Sequence, residues 1–350
     1  MLIRKLLKSK KEMAIFYFRC DAIANYKELE EVLMTYLNFR EKEKIKSSVI
    51  LLDEITFTKE WHRTIKDLIT DGLFKNDVLI ITGSSSLFIK KGACMLTGRR
   101  GYGKDFSLFP LTFKEFVNVT NKELSKNIAK HGSLVFLNEL NKMLFDYFNC
   151  GGFPIAINSY FEKRDLQEVK DIYLTWIKND LAKVEKNEYV AKEIIKAVLT
   201  KWPFISWESI SKETSIKAAK TVYSYITTLK ELFVLGISYF IEPNNALIKF
   251  GKNKKIFFTD PLFFHMFEDW CLVKIKEKES IMAESLLASH LSRKYGDVYY
   301  WKNKEEIDCV VKTENGLKGY ECKWKENPKE KKLVIGKIKD VLTITKKRCE

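Results

Sequence analysis

Between residues 13 and 86, apolar strand-like runs alternate with amphipathic helical stretches, and no other feature constrains the fold as strongly. "MAIFYFRCD" (residues 13–21) is a β-rich apolar run. Residues 26–39 then put Leu29, Leu33, Tyr36 and Leu37 on one helical face. "SSVILLDE" is a second apolar strand, "FTKEWHRTIKDLITDG" a helix stopped by Gly72, and "DVLIITGSSS" a third strand running into small polar residues. Strand, helix, strand, helix, strand predicts an α/β fold with a parallel sheet covered on both faces.

After Phe113 the chain turns mostly helical to about residue 199, broken at "CGGFP". "SWESISKET" reads as a short helix with a serine N-cap, and "SIKAAKTVYSYITTLKELF" as a longer one spanning residues 215–233. Two β-like runs, "VLGISYFI" and "KIFFTD", follow through the turn "PNNA"; helix, turn, helix, hairpin is the pattern of a winged helix-turn-helix. The last segment offers a helix over residues 282–294 and the strands "DVYYWKN", "EIDCVVKT" and "KGYECKWK".

Seven cysteines with no C-x-x-C, and only four histidines, argue against a zinc site and a disulfide framework. No apolar run nears the ~18 residues that span a bilayer, and the N-terminus lacks a signal-peptide pattern. A cytoplasmic protein without a membrane partner is therefore expected. The net charge of +15 suits a polyanion such as DNA, but its lysines are spread along the chain beside many glutamates. A heat-adapted or lysine-biased composition produces the same balance, so charge alone leaves DNA contact open.

"VILLDE" is a Walker B arrangement, an apolar strand that projects Asp53 and Glu54 from its end. Such a pair suits Mg²⁺ binding and the orientation of an attacking water. "IITGSSS" offers Thr82 and Ser84 at the tip of the next strand, which resembles the strand of AAA-type ATPases whose tip carries a polar sensor residue facing the γ-phosphate, and "LTGRR" adds Arg99 and Arg100. The series "LLDEI…IITGSSS…LTGRR…LFPLTFKEF…GGFP" resembles the AAA-type P-loop ATPases of archaea and bacteria that carry a C-terminal winged helix and a restriction-endonuclease-like domain. The resemblance covers residues 13–325. It implies an ATPase core at 1–112, a helical lid at 113–200, a winged helix at 201–262 and a nuclease-like domain at 281–350. It also implies ATP and Mg²⁺ as cofactors, self-association, and arginine-finger roles for Arg99 or Arg100.

Such a family needs a G-x-x-x-x-G-K-[ST] loop ahead of Walker B, to cradle phosphates with backbone N–H groups and a lysine. "GRRGYGKD" aligns Gly98, Gly103 and Lys104 with that pattern. However, Asp105 replaces the hydroxyl, and the stretch follows the sensor strand and opens no helix. It therefore reads as a glycine–arginine turn. "LIRKLLKSKKE" reads as the back half of the helix that normally follows the phosphate loop, so ATP binding is expected to be weak or absent.

Lys217, Lys220, Thr221 and Tyr223 would face DNA from the second helix of the winged-helix pattern, with Ala218, Val222, Tyr225, Ile226 and Leu229 packing inward. In the last segment Asp308, Glu321 and Lys323, with Glu284 upstream, resemble the PD-(D/E)xK constellation. The acids would bind Mg²⁺ and the lysine would assist phosphodiester cleavage. The rival is a non-catalytic DNA-binding or scaffold protein that uses the winged helix and a basic surface.

Overall fold

The structure, a computed structural model, describes residues 14–83, 89, 92–96, 98–99, 101, 103–324 and 334–345. Ser84, Arg100 and the helix reading of the N-terminal segment lie outside the described residues. The chain divides into two compact units, Met1–Ser107 and Leu108–Glu350.

In the first unit β1 (Ile15–Arg19), α1 (Tyr26–Lys42), β2 (Val49–Asp53), α2 (His62–Thr70) and β3 (Val78–Ile81) follow the expected alternation. The strands pair in parallel in the order β1-β2-β3. β2 is central, which is why Val49, Ile50, Leu51 and Leu52 are all buried. Leu29 and Leu33 of α1 and Ile65 and Leu68 of α2 share one core with Ile50 and Leu52. Asn25 starts α1 by accepting the backbone N–H groups of Lys27 and Glu28.

The second unit opens with α3 (Phe113–Thr120), α4 (Lys122–His131), α5 (Leu137–Cys150), α6 (Pro154–Phe161), α7 (Gln167–Ala182) and α8 (Glu188–Lys201). β4 (Phe204–Ile205), α9 (Trp207–Ser211), α10 (Ala219–Glu231), β5 (Leu235–Ile241), β6 (Ile248–Lys249) and β7 (Lys254–Phe258) follow. Then come α11 (Leu262–Cys271), α12 (Lys278–Tyr295), β8 (Val298–Lys302), β9 (Glu306–Thr313), β10 (Gly316–Lys323) and β11 (Ile338–Thr345). Ser206 caps α9 as expected. α10 starts at Ala219 rather than residue 215, because Ser215 donates its N–H to Glu193 and Ala218 is extended. Ala218 is consequently exposed, whereas Val222, Tyr225, Ile226 and Leu229 are buried.

One sheet, ordered β11-β10-β9-β8-β5-β7-β4 with β6 beside β5, runs through both C-terminal segments. The joint is the parallel pairing of β5 with β8, Tyr239 opposite Tyr299 and Phe240 opposite Tyr300. α7, α8, α10 and α11 pack with β5 and β7 around Phe258, Phe263, Phe264 and Phe267. α12 lies against Cys309, Val311 and Tyr320. No described helix is long and apolar enough to cross a membrane.

Candidate functional site

The parallel register of the first unit brings the ends of β2 and β3 to one sheet edge. There the Thr82 hydroxyl donates to Asp53 Oδ1, and the Tyr17 hydroxyl donates to Oδ2 at 2.9 Å. The Thr82 bond, helped by Tyr17, holds the Asp53 carboxyl below its usual range, so it is ionised at neutral pH. The backbone of Ile55 donates to Thr82 O at 3.0 Å and ties the two strand tips together. Glu54, between them, has φ 54° and ψ 38°, a left-handed conformation that strains a residue with a Cβ. An ionised carboxylate at the carboxyl edge of a parallel sheet is a hard oxygen donor suited to Mg²⁺. The phosphate side differs: G-x-x-x-x-G-K-[ST] occurs nowhere in the 350 residues. The residues present thus fit the cation and not the phosphates.

Arg99 donates from Nε to the Thr70 hydroxyl at 3.0 Å, at the end of α2. Gly98 and Gly101, with φ of 78° and 52°, form the turn around it. Lys104 opens no helix; the next one begins at Phe113. "GRRGYGKD" is therefore a turn in the described residues, with the helix N-terminus of a phosphate loop missing from it.

In the second unit, Glu284 and Asp308 do come together, around a lysine that sequence reasoning missed. Lys255, in the fully buried strand β7, is 4% exposed. Its ammonium pairs with Glu284 of α12, with Glu306 at 2.9 Å and with Asp308 at 3.0 Å. A β-bulge aims these acids: Tyr299 faces Val310 and Trp301 faces Ile307, so Asp308 and Cys309 both lie opposite the single Tyr300. The second oxygen of Asp308 accepts the Cys322 N–H at 2.8 Å. Burial works against the Lys255 charge, and Glu284, Asp308 and Glu306 overcome it, so its pKa lies well above the usual value. Burial pushes Glu284 up to about 7.

Glu321 and Lys323 instead pair with each other at 3.1 Å, and Glu321 Oε2 is buried without a hydrogen-bond partner. Among the described residues, no group of three or more His, Cys, Asp or Glu side chains is arranged to hold a metal ion. Lys255 occupies the space that a cation shared by Glu284 and Asp308 would need, so these residues as placed do not fit one. Glu306, two residues from Asp308 and hence on the same strand face, had a legible signal. On α10, Lys220 and Tyr223 are exposed and Thr221 half-buried, while Lys217 is exposed just ahead of the helix.

A second buried constellation gathers three sequence motifs. The Gly152 N–H donates to Asp260 Oδ2 at 2.8 Å and the Leu262 N–H to Oδ1 at 2.9 Å. Leu111 donates to Gly152 O at 2.8 Å, and Arg293 donates to Pro110 O at 2.6 Å and Thr259 O at 3.1 Å. "LFPLTF", "GGFP" and "TDP" thus meet at one structural knot. Burial pushes Asp260 up to about 6, against the pull of its two backbone donors and Arg293. A raised carboxyl pKa contributes stability that is full below the unfolded value near 4 and lost as pH rises through 6. We therefore expect the stability of the wild type relative to Asp260→Asn to fall by about 1–2 kcal/mol between pH ~4.5 and ~7 in urea titrations. An unchanged difference would show that Asp260 does not titrate in this window.

Comparison with known proteins adds family context. Residues 1–117 match the model of an AAA domain. Residues 141–270 and 279–341 match two domains of unknown function, DUF8612 and DUF4143. The chain is similar to the uncharacterized protein MJ1544 of Methanocaldococcus jannaschii, 23% identical over 315 residues. That alignment takes in 82% of this chain but 63% of the relative, so the chain spans less than two thirds of the relative's length. The crystal structure of Cdc6p from Pyrobaculum aerophilum aligns at 12% identity, covering 77% of this chain and 83% of that one. The TM-score of that alignment is 0.26. The AAA-domain match supports an AAA-type P-loop ATPase family for the N-terminal part of the chain.

Proposed function

We propose that this AAA-type ATPase-family chain acts on or near DNA, contacting it without cleaving it. Its C-terminal unit would be a winged helix fused to a nuclease-like sheet. The observation that carries the non-cleaving reading is the Lys255 ammonium, held between Glu284, Glu306 and Asp308. An internal cation there competes with any divalent ion for the same oxygens. Thr82 is the sensor-like partner of Asp53, a role supported by their hydrogen bond. ATP binding as a whole is weak, because the Mg²⁺-binding acid lacks a phosphate-gripping loop in these 350 residues. DNA contact through Lys217, Lys220 and Tyr223 is supported by their exposure.

One observation favours a second reading, a metal-dependent nuclease: the buried, unpartnered Glu321 Oε2 is an oxygen that a metal could satisfy. Incubating the full chain with labelled DNA and Mg²⁺ or Mn²⁺ separates the two. The expected result is salt-sensitive binding without cleavage, and no micromolar affinity for a labelled ATP analogue. Cleavage that disappears in Asp308→Ala would replace the first reading with the second. Micromolar ATP-analogue binding that disappears in Asp53→Ala would overturn the weak-binding reading.

A further inference from the structure

A groove of about 800 Å³ opens where the β5–β6–β7 turns meet the β8–β9 turn. Three half-buried rings, Phe204, Phe240 and Trp301, line it together with three exposed lysines, Lys249, Lys252 and Lys302. Among the described residues Glu242 is the one carboxylate in its wall. Exposed Asn253 and Asn303 add side-chain amides, each a donor and an acceptor together. Lys302 is already engaged, 3.0 Å from Glu306 and 3.9 Å from the centre of the Phe204 ring. Among the described residues no carboxylate pairs with Lys249 or Lys252, so their charges remain available to a ligand. Through Lys302 and Glu306 the groove adjoins the carboxylate cage around Lys255.

We infer that this groove binds an unpaired stretch of nucleic acid. A base stacks against Trp301 and Phe240, and the flanking phosphates lie against Lys249 and Lys252. Aromatic rings beside ammonium groups suit a single strand, whose bases offer open faces; in a duplex those faces are hidden by neighbouring base pairs. The amides suit the polar edges of an unpaired base. An acidic peptide would use the lysines but leave the rings without partners. The inference rests on the nucleic-acid reading above, and names a second contact surface distinct from α10.

Fluorescence anisotropy of the full chain tests it. The probes are a labelled oligothymidylate of about twelve nucleotides, its duplex with oligoadenylate, and a poly-glutamate peptide. Expected is tighter binding of the single strand than of duplex or peptide. Lys249→Ala/Lys252→Ala removes two phosphate contacts, so the slope of log K against log salt becomes shallower by about 1.4. Trp301→Leu keeps apolar bulk and weakens binding about tenfold while leaving that slope unchanged. Circular dichroism melts of both variants must match the wild type within a few degrees; should Trp301→Leu fail there, the lysine variant alone decides.

Single-strand binding unaltered by the groove variants, yet abolished by Lys217→Ala/Lys220→Ala, overturns the groove and leaves the nucleic-acid reading standing. Equal affinity for poly-glutamate overturns it too, by showing a simple polyanion patch. Failure of the wild type to bind any nucleic acid overturns both readings.

Discussion

Lys255→Met destabilises the C-terminal unit by about 3–5 kcal/mol in urea denaturation, the range for breaking a buried ion pair from one side. Methionine keeps the length and fills the same space, so the loss isolates the charge. In the wild type one ammonium serves Glu284, Glu306 and Asp308 at once, at a site 4% exposed. Without it three carboxylates face one another beside α12, and desolvation already pushes Glu284 toward the neutral form. Lowering the pH protonates the excess acid, so part of the loss is recovered between pH ~7 and ~5. An exposed pair such as Arg63–Glu60, with side chains half open to solvent, belongs to the class worth about 1 kcal/mol or less. A loss of that smaller size for Lys255→Met would mean that water reaches the cage.

The cage also marks where sequence reasoning stops. Asp53 and Thr82 were legible as a pair, because adjacent parallel strands must end at one edge whatever the helices between them do. Tyr17 was legible only as an apolar strand residue, since its role depends on a register that periodicity does not set. Lys255 could be noticed as a lysine in an apolar run, but its partners Glu306 and Asp308 lie 51 and 53 residues further on. Their convergence depends on the β5–β8 joint and on the bulge at Asp308. α11 is hard to see in the sequence because "LFFHMFEDWC" is mostly apolar and buried, with a polar stripe of only His265, Glu268 and Asp269 on one face. β11 is not legible in the sequence because a parallel edge strand has no hairpin turn to announce it, and it pairs with β10 across an intervening segment. Arg99, which with Arg100 the resemblance offers to the phosphates, donates to the Thr70 hydroxyl through a loop geometry that no residue pattern encodes.

Gly152→Ala costs about 4 kcal/mol or more and leaves the second unit poorly folded, placing it among the rare severe substitutions. A Cβ at this position would stand 2.1 Å from Leu111 O and 2.7 Å from Leu111 N, both backbone atoms. Neither side can retreat. Leu111 O accepts the Tyr147 hydroxyl at 2.6 Å, and Leu111 N donates to Gly152 O at 2.8 Å. The Gly152 N–H in turn holds the buried Asp260 carboxylate. Relieving the clash therefore breaks these bonds and strands a buried acid, each lost partner adding about 1–3 kcal/mol. Gly151 shares the constraint, with φ 72° and a Cβ position 2.0 Å from Asp260 Oδ1. Gly251→Ala is the matched control: nothing lies within 4 Å of its Cβ position, so its effect stays within about 0.5 kcal/mol. Thermal melts of the two variants followed by circular dichroism decide the matter. Equal midpoints would mean that "GGFP" is a loop of no special tightness. A wide gap would place that motif, with "LFPLTF" and "TDP", in the framework that holds the helices to the sheet, and so separate it from the chemistry of Asp53.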